Sequence, residues 1–94
     1  MLTVTDAARD RLSRKLESKN AEEPLALRLT RTERGWGLRP DTARPEDTAF
    51  AHQGKNVLLV DDAVSEAMSD VTLEVRTTKA GPRLRLRRNP KQGG

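Results

Sequence analysis

The feature that most constrains this chain is a set of short segments in which apolar and polar residues alternate. Leu25, Leu27 and Leu29 alternate with Ala26, Arg28 and Thr30. Val71, Leu73 and Val75 alternate with Thr72 and Glu74, and Leu84 and Leu86 alternate with Arg83, Arg85 and Arg87. A period of two is the signature of a strand with one face buried and the other in water. Each such strand needs its apolar face covered by another sheet or by a helix. A helix to do this is present: Ala8, Leu12 and Leu16 recur at i, i+4 and i+8, one helical stripe. Thr5 is placed to cap it, and Asp6 sits where the helix dipole favours an anion. The helix is expected to end within Asn20 to Pro24.

The remaining segments complete the plan. Glu33-Arg34-Gly35-Trp36-Gly37 suggests a turn into a second strand, Trp36 to Arg39, followed by a polar loop from Pro40 to Asp47. Thr48 to His52 and Asn56 to Val60 form a hairpin around Gln53-Gly54-Lys55. Val57-Leu58-Leu59-Val60 is the most apolar run and belongs in the middle of a sheet. Asp61-Asp62 can cap a short helix over Ala63 to Ser69, with Val64, Ala67 and Met68 facing inward. Lys79-Ala80-Gly81-Pro82 is a turn between the last two strands. The order is helix, four strands, short helix, two strands. This predicts a small, β-rich α+β domain with an N-terminal helix and bent, mixed sheets. Residues 1–90 read as one domain and residues 91–94 as a loose tail.

Composition sets limits on function. Leu, Val and Phe make up 19 of 94 residues and Ile is absent, so the core is thin. The net charge of +4 is modest enough for a folded domain. No residue is a cysteine, which excludes disulfides, thiolate zinc sites, cysteine-held iron–sulfur clusters and thiol catalysis. No apolar run approaches the ~20 residues of a membrane span, and no signal peptide is recognisable, so the expectation is a cytoplasmic protein.

The charge is unevenly spread. No acidic residue follows Glu74, while Arg76, Lys79, Arg83, Arg85, Arg87, Arg88 and Lys91 do. A basic block of this kind is either a guard on a solvated edge strand or a patch for nucleic acid or an acidic partner. Arg83, Arg85, Arg87 and Arg88 are expected along one face of the last strand, with Arg76 beside them. Phosphate-backbone binding needs such a stripe. Single-strand readers also need aromatic platforms, and only Trp36 and Phe50 are available.

Catalytic and metal readings find little. Ser13, Ser18, Ser65 and Ser69 lie in no nucleophile elbow, and Gly35-x-Gly37 precedes a strand rather than a helix. His52 is the only histidine, Asp61 and Asp62 are explained as caps, and Glu22-Glu23 lies in a connecting loop. The reading assigns no enzyme activity, no metal and no cofactor. The terminal Gly93-Gly94 after Leu84-Arg85-Leu86-Arg87 is superficially similar to a carrier or modifier tail, yet those folds begin with a β-hairpin and this chain begins with a helix.

The ordered set of segments resembles the A-type iron–sulfur carriers (HesB/IscA-like). The resemblance runs from Leu2 to Asp6 into Ala7-Ala8 and Leu12, through Leu27-Arg28-Leu29 and the Gly35 turn. It continues over Pro45-Glu46-Asp47 and Phe50, then Gly54 and Val57 to Asp61, and ends at Asn89-Pro90. It implies a small β-rich fold that forms homodimers and holds a cluster or iron through three cysteines. The first would lie in the glycine loop matched by Arg31 to Gly37, where Glu33, Arg34 and Gly35 stand instead; the other two form a Cys-Gly-Cys near the C-terminus, where this sequence ends in Asn89-Pro90-Lys91-Gln92-Gly93-Gly94. Cluster ligation needs soft thiolates. The expectation is therefore a non-catalytic scaffold without cluster binding that serves as a protein-interaction module. Its partner surface is expected around Trp36 and the basic last strand, with Trp36 as a core anchor, a plug for the vacated space or a contact residue.

Overall fold

A computed structural model describes residues 2–19 and 25–89. Strand β1 (Thr3–Val4) leads into helix α1 (Asp6–Ser18), and β2 (Ala26–Thr32), β3 (Gly35–Asp41), β4 (Thr48–His52) and β5 (Lys55–Val60) follow. A short helix α2 (Asp62–Ala67) then precedes β6 (Val71–Thr78) and β7 (Gly81–Arg88). The seven strands form two mixed sheets, in the orders β1-β6-β7 and β3-β2-β5-β4. In the first, β1 runs parallel to β6 and β7 antiparallel to it; in the second, β2 and β5 are parallel and the two outer pairs antiparallel. This is the α+β class expected from the sequence.

Helix α1 covers the inner faces of both sheets. Its stripe Ala8, Leu12 and Leu16 is buried against a core that includes Leu27, Leu29, Phe50, Leu58 and Leu73. Fully burying a leucine stabilises by about 1.5–3 kcal/mol, so this single stripe holds the two sheets to one helix. Thr5 caps α1 by accepting from the Ala8 amide at 3.1 Å, and Asp61 caps α2 by accepting from the Val64 amide at 2.8 Å. Val57 to Val60 are all buried, in a strand flanked by β2 and β4, as their apolar run predicts.

Several boundaries differ from the expectation. Strand β1 was not anticipated: two residues carry no periodicity, and only the pairing of Thr3 with Thr72 and of Val4 with Leu73 makes them a strand. Strand β3 extends to Asp41, so Pro40 belongs to a strand opposite Leu27 rather than to a loop. It is tolerated because β3 is an edge. Helix α2 spans Asp62–Ala67 and not Ala63 to Ser69; Ala67 is exposed rather than inward, whereas Met68, just past the helix, is buried. The end of the α1–β2 connection, Glu22-Glu23, Pro90, the expected tail 91–94 and Gly93-Gly94 lie outside the described residues. No described helix is long and apolar enough to cross a membrane.

Candidate functional site

The β2–β3 hairpin builds the turn that the resemblance matches to the first cysteine loop. Glu33 and Arg34 form its exposed tip. The Thr32 hydroxyl accepts from the Arg34 amide at 3.3 Å and donates to the Gly35 carbonyl at 3.1 Å. Gly35 has φ of +122°, a conformation that only glycine adopts without strain. The chain then delivers Trp36 to the inner face beside Arg31, whose guanidinium carbon lies 5.8 Å from the ring centroid. Trp36 is half-buried and packs against the edge of the core. No group of three or more His, Cys, Asp or Glu side chains able to hold a metal exists among the described residues.

The basic last strand divides by register. Arg76 pairs with Arg83, Glu74 with Arg85 and Thr72 with Arg87, so these six share the outer face of the sheet. Arg88 pairs with Val71 and falls on the opposite face, not beside the other arginines as expected. It reaches Asp70 at 3.3 Å, while Arg87 hydrogen-bonds the Glu74 carboxylate. That bond, with the neighbouring charges of Arg85 and Arg76, holds the Glu74 carboxyl below its ordinary range. Arg76, Arg83 and Arg85 remain without an ion pair among the described residues. The stripe available to phosphates is thus shorter than the sequence suggests.

The structure brings Trp36 and β7 together, with Arg76, Arg87 and Arg88 elsewhere. A cleft of about 470 Å³ opens between the edge strands β3 and β7. Its walls include Leu29, Trp36, Leu38, Leu73, Leu84 and Leu86. A second cleft of about 420 Å³ continues along β7, against Pro82, Arg83 and Leu84. Lys15 and Leu84 border both. The far wall is a basic line on α1 that sequence reasoning missed. Arg11 and Lys15 face the second cleft, and Lys15 and Lys19 the first. Their i, i+4, i+8 spacing was the available signal. Arg11 Nε is buried and has no acceptor among the described residues. No carboxylate borders either cleft among the described residues.

A second cluster also escaped the sequence reading. Arg28 appears there as the polar face of a strand, yet its side chain is 5% exposed. It donates to both oxygens of Asp47, to Asp41 Oδ2 at 2.7 Å and to the Thr42 carbonyl at 3.2 Å. These bonds lower the Asp47 carboxyl to about 2, and Asp41 is lowered for the same first reason, its bond to Arg28. The loop after β3 thereby closes over the outer face of β2. Its position opposite the clefts marks it as a structural clamp. Nothing in an alternating pattern distinguishes a buried arginine from a solvated one, because its carboxylates are 13 and 19 residues away. His52 lies 3.6 Å from Asp10, outside both clefts.

No family model and no curated protein matches this sequence. Solved structures do match. SufA from Escherichia coli, described as involved in the biosynthesis of iron–sulfur clusters, superposes with a TM-score of 0.68 at 20% identity over 93% of this chain and 84% of that one. IscA with its [2Fe-2S] cluster gives 0.59 at 18% identity, over 94% and 85% of the two chains. A protein from Aquifex aeolicus solved by NMR gives 0.61 at 22%, over 95% and 91%. At these identities the likeness is one of fold: this chain has the HesB/IscA-like fold of SufA and IscA, and none of its 94 residues is a cysteine.

Proposed function

We propose that this chain is a non-catalytic protein-interaction module, an iron–sulfur-carrier scaffold that binds no cluster and receives a protein partner in the opening beside Trp36. The observation that carries the reading is the cleft itself. Leucines and the sole tryptophan line an opening between two sheet edges, on a scaffold whose glycine turn presents Glu33 and Arg34 in place of a thiolate. Carboxylate and guanidinium groups are hard or cationic and do not replace thiolates as cluster ligands.

Two measurements test it. After anaerobic incubation with ferrous iron and sulfide and then desalting, the protein is expected to stay colourless; a stoichiometric visible chromophore overturns the reading. Capture from a lysate of the native cell is expected to retain a protein that the Trp36→Ala variant does not. Equal capture by both variants overturns the role given to the cleft.

A further inference from the structure

We infer that the occupant of this opening is an extended, acidic segment of a partner protein, added as a new strand to the free edge of β7. The inference rests on the protein-interaction reading above and names the partner's chemistry and its mode of docking. Four observations converge on it.

First, β7 is an open edge. Its backbone pairs with β6 and with no other strand, and the outer side of residues 81–88 makes no backbone hydrogen bond among the described residues. Free edges of this kind accept added strands, where main-chain hydrogen bonds supply affinity and alternate side chains supply specificity. Second, two neighbouring clefts that share Lys15 and Leu84 border that edge, lined between them by Pro82 to Leu86. At about 3.3 Å per residue, four or five residues of an added strand would span this stretch.

Third, the charges facing the trough are of one sign. Arg11 and Lys15 of α1 and Lys19 at its C-terminal cap line it, with Arg83 and Arg85 of β7, and no carboxylate does so among the described residues. The buried Arg11 Nε, without an acceptor among the described residues, belongs to the same set. Fourth, the side chains of β7 alternate in kind. Leu84 and Leu86 share the inner face with Leu73, while Arg83, Arg85 and Arg87 share the outer face. A strand laid beside β7 therefore meets Leu84 and Leu86, with the cations of the α1 side beyond them, on its inner face, and Arg83 and Arg85 on its outer face, where Arg87 is already held by Glu74. The complementary sequence alternates Asp or Glu with Val, Leu or Ile.

The same features separate this occupant from two others. A second copy pairing antiparallel through β7 with the two arginine faces on one side would set arginines against arginines, which is destabilising. A nucleic-acid backbone matches the arginines but leaves the apolar floor of Leu73, Leu84 and Leu86 without a counterpart, and offers one tryptophan as a stacking platform.

The test uses the full chain and a short fluorescent peptide alternating Glu and Val. Saturable binding is expected, with slowed amide exchange confined to β7. A peptide of the same composition with its glutamates in one block should bind about tenfold more weakly or worse. N-methylation of alternate peptide amides on the edge-facing side should abolish binding, and on the other side should not. The Lys15→Glu/Arg85→Glu variant should lose the Glu–Val peptide and gain a Lys–Val one.

Equal binding of the blocked peptide, indifference to N-methylation, or no protection of β7 amides overturns the inference. So does retention of a single-stranded oligonucleotide in place of the peptide, or concentration-dependent protection of β7 without peptide. If these fail while the iron and sulfide reconstitution stays colourless and lysate capture still depends on Trp36, the interaction reading stands and only the strand-addition mode falls.

Discussion

Arg28 grips Asp47 by both carboxylate oxygens, Nη1 to Oδ1 at 2.8 Å and Nη2 to Oδ2 at 2.6 Å, with the two side chains 5% and 1% exposed. Two parallel charge-assisted bonds of this geometry are among the strongest side-chain contacts in proteins. They fasten the loop before β4 to β2, and Ala26 to Leu29 of β2 are buried on both faces although the sequence alternates.

Removing one partner should be far worse than removing both. Arg28→Met leaves Asp47 buried without its counter-ion and is expected to cost about 3–5 kcal/mol. The double variant Arg28→Met/Asp47→Leu should recover much of that loss, because two apolar groups have no desolvation penalty to offset. Urea unfolding midpoints of the three proteins check this.

Stability should fall in acid, over a window set by the clamp. Asp47 titrates near 2 in the folded state and near its ordinary value of about 3.9 when unfolded. Above that ordinary value the carboxylate is charged in both states and its stabilisation is complete. As pH drops, the unfolded chain takes up the proton first, and the stabilisation is lost by the time pH falls through the folded value. Asp41 and Glu74, both lowered, add in the same direction. Thermal unfolding between pH 5 and pH 2 should show this fall, and Asp47→Asn should flatten it.

The two helix caps should be of similar weight. Thr5→Ala and Asp61→Ala each remove the acceptor for one amide at a helix start and should cost about 1 kcal/mol. Thr5→Ser should retain most of the capping, which denaturant titration can resolve.

The turn at Gly35 should reject a side chain for backbone reasons alone. A Cβ there meets nothing within 4 Å, yet φ is +122°. Gly35→Ala is expected to cost about 1–3 kcal/mol through strain. An unchanged unfolding midpoint would show that the hairpin has another conformation open to it.

The cleft wall should be dispensable for folding where the core is not. Leu12 is fully buried, and Leu12→Ala should cost about 2–5 kcal/mol. Leu84 is only half-buried, so Leu84→Ala should cost clearly less. Comparable losses would place Leu84 in the core and close the opening to a partner.

Much of this architecture is legible in the chain. The stripe Ala8, Leu12 and Leu16, the alternation in β2, β6 and β7, the apolar run of β5 and the caps Thr5 and Asp61 each follow from local periodicity or from a hydrogen bond spanning three residues. Local signals of this kind are written in consecutive residues, so they can be read before the chain is folded. The lack of thiolates is equally a property of the sequence, and it bears directly on what the scaffold can hold.

What the sequence by itself determined was therefore the two helices and the six longer strands, most of the faces they bury, and the ligands they lack. Tertiary structure alone decided the rest. It made Thr3 and Val4 a strand, by placing them beside Thr72 and Leu73. It turned Arg28 into a buried clamp by bringing Asp41 and Asp47 over it. It assembled one basic trough from Lys15 on a helix and Arg85 on an edge strand, far apart in the chain. The physical reason is common to all three. Strand pairing, ion pairing and an open sheet edge depend on which segments become neighbours, and that is set by the packing of the two sheets around α1 rather than by any local run of residues.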